Sequence, residues 1–241
     1  MIIVFITIKL KRLTKILIII AAAAAVIWLI AAILSDGAEP VINIDSDEYT
    51  LVLDPGHGGI DGGAIADSGL KESDVNLAIT QRMELLAAFL GVNCVTTRNT
   101  DTDNRGDGEY SEHDNLIARA ELANSTPKAV LISVHQNQYP SPVVRGAEVL
   151  FAHTEGSEEL ARLAQDNFVS KLDPENRRVM SPAPDKLLLT SSVKCPAILA
   201  ECGFMSCPDE ASKLGTPEYQ LKIAQILIAS FLQYIVDKTS V

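Results

Sequence analysis

Positive charge is scarce in this chain beyond its first fifteen residues. Lys9, Lys11, Arg12 and Lys15 stand ahead of residue 16, while of 31 acidic residues only Asp36 and Glu39 precede residue 41, in a chain of net charge −11 and pI near 4.8. No basic stripe crosses the acidic part, which excludes nucleic acid as a partner, because phosphate recognition draws on clustered Lys and Arg. Cysteine is sparse as well. Cys94, Cys195, Cys202 and Cys207 form no C-x-x-C pair and show no spacing of a structural zinc site, so they are read as unpaired, with Cys94 a small core residue of a strand. Internal repeats are absent, and the only low-complexity tract is the alanine run 21–25, which excludes repeat architectures.

What the N-terminus does contain is a membrane signal. Residues 16–34 are nineteen positions without a charge, long enough to cross a bilayer as a helix, and the four positive charges lie just before them. The positive-inside rule places the remainder outside the cytoplasm. The apolar stretch exceeds the usual signal-peptide core, and Ser35 and Gly37 are the only small pair at cleavage spacing, which favours an uncleaved anchor over a cleaved signal peptide. The expected organisation is an anchor at 1–35, a polar linker at 36–48 and one domain at 49–238.

The domain is organised around residues 51–64, LVLDPGHGGIDGGA. A short apolar run ends at Asp54-Pro55, and five glycines then surround one histidine, His57. Neither phosphate-binding glycine pattern fits, since Asp61 stands where a dinucleotide fingerprint needs glycine and no Gly-Lys-Ser/Thr follows. A metal or catalytic histidine at the C-terminal end of a strand is the reading that remains. Helical spacing predicts helices over 72–90, 116–124, 158–172 and 218–236; further strands are expected at 92–97, 129–134, 146–151 and 196–200. Alternating strands and helices predict an α/β domain with a mainly parallel sheet flanked by helices. Residues 99–115 read as a long acidic loop; Asp101, Asp103 and Asp107 invite calcium, but the EF-hand pattern does not fit.

Three apolar strands each lead to a candidate site residue: the first to His57, the third to His135 and the last to Glu201. In a parallel sheet those ends lie along one edge, so residues far apart in sequence converge there. Each has a plainer explanation taken alone, as a surface histidine or an ion-pair partner, and Glu72 could simply complement the dipole of the helix it opens. Together, two histidines and a carboxylate make a three-ligand zinc site with a fourth position for water, Glu72 supplying the carboxylate. Such a site prepares amide or ester hydrolysis and still requires a base, for which unligated Glu201 is the candidate. His113 and His153 lie in polar stretches and are read as solvated.

At these residues the chain resembles the zinc-dependent N-acetylmuramoyl-L-alanine amidases. Members show DPGHGG-x-D-x-GA after a strand, K-E opening a helix, S-[IV]-H-x-N after a central strand and E-x-GF-[LM]-S near the C-terminus. Here these are Asp54 to Ala64, Lys71-Glu72, Ser133 to Asn137 and Glu201 to Ser206. The resemblance implies a phosphorylase/hydrolase-like α/β fold, zinc held by His57, Glu72 and His135, Glu201 as catalytic glutamate, and peptidoglycan as substrate. Arg98 and Asn137 match positions usual in the family. A single anchored domain without wall-binding repeats is similar to the sporulation, germination-specific type, which implies formation of muramic δ-lactam in spore cortex. Vegetative wall remodelling is the other enzyme reading, and a protein activator remains open. A non-catalytic wall-binding module would be marked by loss of a ligand or of the glutamate; all four residues are present. Cys202 departs from the family pattern, and its thiol beside Glu201 is a rival for the metal.

Overall fold

The computed structural model describes residues 49–103 and 111–239. The expected anchor at 1–35, the linker at 36–48 and Asp107 lie outside these residues. The described chain runs β1 (Thr50–Pro55), α1 (Glu72–Leu90), β2 (Cys94–Thr96), α2 (Glu112–Ser125), β3 (Ala129–Asn137), β4 (Glu148–Phe151) and α3 (Ser157–Asn167), which ends in a π-helical turn, Phe168–Leu172. It continues through β5 (Ser181–Pro182), α4 (Leu188–Ser192), β6 (Ala197–Phe204), α5 (Pro208–Leu214) and α6 (Pro217–Thr239).

The six strands form one mixed sheet in the order β2-β1-β3-β6-β4-β5. Every pairing is parallel except β4 with β6, where Glu148 stands opposite Glu201. From β1 the chain crosses to β2 on one side, then returns past β1 to β3 on the other, so α1 and α2 cover opposite faces, as right-handed crossovers demand. The strand order therefore reverses between β1 and β3, and the crevice beyond their C-terminal ends is where such sheets bind ligands.

Burial explains the strands. Leu51, Val52 and Leu53 are all fully buried, because successive side chains of β1 face the two helical layers alternately. On one face Leu51, Leu53, Val130 and Ile132 pack with Ile79, Met83, Leu160 and Phe231; on the other Val52, Leu131 and Ala197 pack with Ala120, Ala123 and Leu189. The final helix, α6, is apolar and long enough to span a bilayer, yet its Ile223, Ala224, Leu227 and Phe231 are buried in this core.

Several boundaries differ from expectation. Helix α2 begins at Glu112 because Ser111 caps it, its hydroxyl accepting the Asp114 N–H at 3.2 Å; this shortens the acidic loop. Strands β3 and β6 run on through His135 and Glu201 rather than stopping before them, so both side chains are set by strand pleating. Two-residue β5 and the short helices α4 and α5 carry too few periodic positions for a pattern to register.

Candidate metal centre

Beyond β1 the chain folds back on itself: Gly58 N–H donates to Asp61 O at 2.8 Å and Asp61 N–H returns to Gly58 O at 3.2 Å. This turn puts Asp61 Oδ2 2.7 Å from His57 Nδ1. Burial works against charge on Asp61, but the His57 hydrogen bond and the Gly63 N–H hold its carboxyl below the usual range, so it accepts and Nδ1 carries the proton. The other ring nitrogen, Nε2, is thereby turned toward Glu72, whose Oε1 lies 3.2 Å away.

Glu72 reaches the site from the first position of α1 and is buried. Its Oε2 accepts the Ala64 N–H at 2.9 Å; its Oε1 accepts the Gln136 N–H at 3.0 Å and lies 3.1 Å from His135 Nδ1. The imidazoles of His57 and His135 meet edge to face, centroids 5.0 Å apart. Two glycines make this approach possible. A Cβ on Gly56 would overlap the His135 ring, and one on Gly63, whose φ is +65°, would stand 2.6 Å from Glu72 Oε2 and 2.7 Å from His57 Cδ2.

Two imidazole nitrogens turned on one carboxylate oxygen call for a positive charge among them. Burial disfavours it, yet Glu72 first and Asp61 next raise His57 to about 9, while the histidines hold Glu72 far below the carboxylate range against its own burial. A metal supplies the same charge. Ligand atoms of the three residues lie within 4.8 Å of one another, and the closest separations, 3.1 and 3.2 Å, suit zinc. Two ligands about 2.0–2.1 Å from a tetrahedral ion stand roughly 3.3 Å apart. The described residues thus bring together His57, Glu72 and His135 at the β1/β3 crevice, with Glu201 beside them as the register partner of His135.

Glu201 stands apart from that cluster in its hydrogen bonding. Its Oε2 is buried and meets no partner among the described residues. Burial pushes its carboxyl up to about 7, partly countered by His135 and reinforced by Glu72 and Glu148. With His57 and His135 it lines a cavity of about 220 Å³ that Leu116, Leu187, Leu188 and Leu199 also line.

Cys202 is not at the metal centre. Strand alternation turns it to the opposite face of β6, where its thiol is buried in the main core, 3.4 Å from Ala200 O, and burial pushes its pKa well above the thiol range. All four cysteines are free. His113 and His153 are exposed, as expected.

Sequence reasoning missed the layer that holds the loop. Asp54 is fully buried, accepting from Thr97 Oγ1 and Ser133 Oγ at 2.6 Å each and from Arg119 Nη1 at 2.8 Å. Burial opposes its charge, but Arg119 with the two hydroxyls keeps its carboxyl below the usual range. Arg98 is also buried, and desolvation with neighbouring Arg119 lowers it to about 10. Asn76, one turn beyond Glu72 on α1, donates to Glu72 Oε1 at 3.3 Å and accepts from Gln136 Nε2 at 3.1 Å. Asp54 and Asp61 stood inside the glycine motif; Arg119 carried no signal beyond being the lone basic side chain, His113 aside, of a helix with several acidic residues.

Comparison with known proteins identifies the family. The germination-specific N-acetylmuramoyl-L-alanine amidase of Bacillus subtilis is 34% identical over 193 residues, covering 78% of this chain and 80% of that protein. The CwlD amidase of Clostridioides difficile, solved in complex with the GerS lipoprotein, superposes with a TM-score of 0.73 at 30% identity, covering 78% of this chain and 98% of that one. AmiC2 of Nostoc punctiforme, another N-acetylmuramoyl-L-alanine amidase, gives a TM-score of 0.68 at 29% identity over 78% and 98%. The family profile described as N-acetylmuramoyl-L-alanine amidase matches residues 51–233, nearly the whole described domain, and the chain belongs to that family.

Proposed function

We propose that this peptidoglycan amidase is a zinc enzyme in which His57, Glu72 and His135 hold the ion and Glu201 is the base, acting on the amide between the lactyl carboxyl of N-acetylmuramic acid and L-alanine. The observation that carries the proposal is the convergence of two imidazole nitrogens on one Glu72 oxygen at 3.1 and 3.2 Å, beside a glutamate that has a raised pKa and an unpartnered buried oxygen. Zinc bound there supplies polarisation of the scissile carbonyl and acidification of a water to a pKa of about 7. The chain's own residues do the rest. Asp61 keeps the His57 proton on Nδ1, so that Nε2 is the ligating nitrogen. Glu201, facing the cavity, takes a proton from the attacking water on its carboxylate and delivers it to the leaving nitrogen. The apolar wall of Leu187, Leu188 and Leu199 limits water around the reacting amide.

The cellular setting belongs to the same proposal. Residues 1–35 anchor the chain in the cytoplasmic membrane, 36–48 form the linker, and the catalytic domain, 49–238, faces the wall. The germination-specific name of the Bacillus subtilis relative supports a role in spore cortex, where removing the peptide precedes muramic δ-lactam formation. The GerS complex of the Clostridioides difficile enzyme supports a protein partner for this chain too.

The test is to purify the enzyme, measure bound zinc, and follow stem-peptide release from peptidoglycan before and after chelation and zinc return. Zinc at one per chain and loss of release in Glu201→Ala are expected. Stoichiometric zinc retained by a His57→Ala/His135→Ala double variant refutes the ligand set, and an active Glu201→Ala refutes the base. Cortex from a strain lacking the enzyme should lack muramic δ-lactam; unchanged lactam with altered vegetative wall assigns it to growth instead.

A further inference from the structure

His57 carries its imidazole on an unusual piece of backbone. Its φ is +60°, in the left-handed region that a non-glycine residue enters only when its surroundings hold it there. The sheet does not do this, since the last ladder bond at this edge is Gly56 N–H to Val134 O at 2.9 Å, one residue earlier. At this end of β1 the three successive carbonyls of Pro55, Gly56 and His57 are collected by two buried guanidinium groups. Pro55 O accepts from Arg98 Nε at 3.1 Å and from Arg119 Nη1 at 2.7 Å. Gly56 O accepts from Arg98 Nη2 at 3.0 Å. His57 O accepts from Arg119 Nη2 at 2.6 Å.

The two cations are not equivalent. Arg98 gives its remaining donors to the carbonyls of Ser73 and Thr100, a purely main-chain clamp. Arg119, only 1% exposed, is itself oriented at both ends: Nη1 lies 2.8 Å from the buried Asp54 carboxylate, and Nε donates to Asn115 Oδ1 at 3.2 Å on the preceding turn of α2. Its plane is therefore fixed by β1 on one side and α2 on the other, and its free edge grips the carbonyl of the residue that presents Nε2 to Glu72. Rotating the His57 peptide moves the imidazole with it, because Asp61, which holds the ring, hangs on the same turn.

We propose that Arg119 is a positioning residue for the metal: by holding the His57 carbonyl against α2, it sets the left-handed turn that aims His57 Nε2 at the zinc position, coupling metal affinity to helix α2. The inference rests on the zinc reading above. Arg119→Lys keeps the charge opposite Asp54 but has no fork with which to reach Asp54, Pro55 and His57 together. Asn115→Ala is the gentler probe, since it leaves Arg119 in place and removes the side-chain acceptor of its Nε.

The experiment uses the full chain in mild detergent. Zinc affinity is measured by competition with a chromophoric chelator, melting temperature with and without zinc, and the visible absorption of the cobalt-substituted protein. Expected are a zinc Kd at least ten-fold weaker in Arg119→Lys and about three-fold weaker in Asn115→Ala, a smaller zinc-induced rise in melting temperature in both, and an altered cobalt band in Arg119→Lys. A residue that only supports the fold lowers the metal-free and zinc-loaded melting temperatures equally and leaves affinity and band unchanged; that result overturns the proposal. If Arg119→Lys does not fold, Asn115→Ala decides, and a zinc Kd equal to wild type overturns it. Wild-type protein that binds no zinc refutes the zinc reading instead, a distinct outcome.

Discussion

Replacing Glu201 by glutamine keeps the shape of the side chain and removes its charge, and the structure sets what that does to stability. In the metal-free protein burial holds this carboxyl near 7, against an ordinary value of 4.5. A difference of that size corresponds to about 3 kcal/mol, at roughly 1.4 kcal/mol per unit. Because the folded-state pKa lies above the unfolded one, the folded protein holds the Glu201 proton more tightly. Its contribution is intact below pH 4.5 and is lost as pH climbs through about 7. Glutamine does not titrate. Metal-free Glu201→Gln therefore gains on wild type by up to about 3 kcal/mol across that window, a widening of up to about 10 °C in melting temperature for a domain this size. Melts of both proteins in chelator at pH 5 and pH 8 read the difference directly. The same substitution should cost about 10²- to 10⁴-fold in stem-peptide release when zinc is present, the usual worth of a general base. A stability gap that stays constant between the two pH values refutes the buried, proton-holding environment assigned to Glu201; release within ten-fold of wild type refutes its role.

Three further outcomes follow from neighbouring contacts. Asp61→Asn replaces the acceptor on His57 Nδ1, 2.7 Å away, and should weaken zinc binding by about 10- to 100-fold, measured by chelator competition. Gly56→Ala drives a methyl into the His135 ring, so zinc content should fall even in preparations whose metal-free far-ultraviolet spectrum matches wild type. Asp54→Asn leaves Arg119 buried without its carboxylate and should destabilise the metal-free domain by about 3–5 kcal/mol in urea unfolding at pH 7. Because the folded pKa of Asp54 is depressed, its contribution is present above the ordinary value of 3.8 and lost as pH falls further, so the two proteins should converge in acid.

The site was legible in the sequence to the depth of residues that end strands. His57, His135 and Glu201 each follow a run of buried apolar residues, and parallel topology alone brings such ends together, which the pairing Val52↔Leu131 and Ile132↔Ile198 bears out. Glu72 was legible only as the carboxylate that two histidines require and as the acid of the Lys71-Glu72 motif, since an acid opening a helix by itself just complements the dipole. Arg119 was not. A guanidinium among the acids and amides of a polar helix reads as a solvated side chain until its distant acceptors, 62 to 65 residues away, are placed. The antiparallel β4 was equally hidden, since a four-residue strand carries no mark of its direction, and the reversal that puts Glu148 against Glu201 is settled by packing.

The order in which the sheet is threaded has a consequence for biosynthesis. Synthesised from its N-terminus, a chain that has emerged as far as β3 already carries both imidazoles and Glu72, while Glu201 waits on β6 some 66 residues further along. Only when β6 docks against β3 does Glu201 join them. On the proposed zinc reading, an unfinished molecule holds the three ligands of the ion before it holds the base that makes hydrolysis possible.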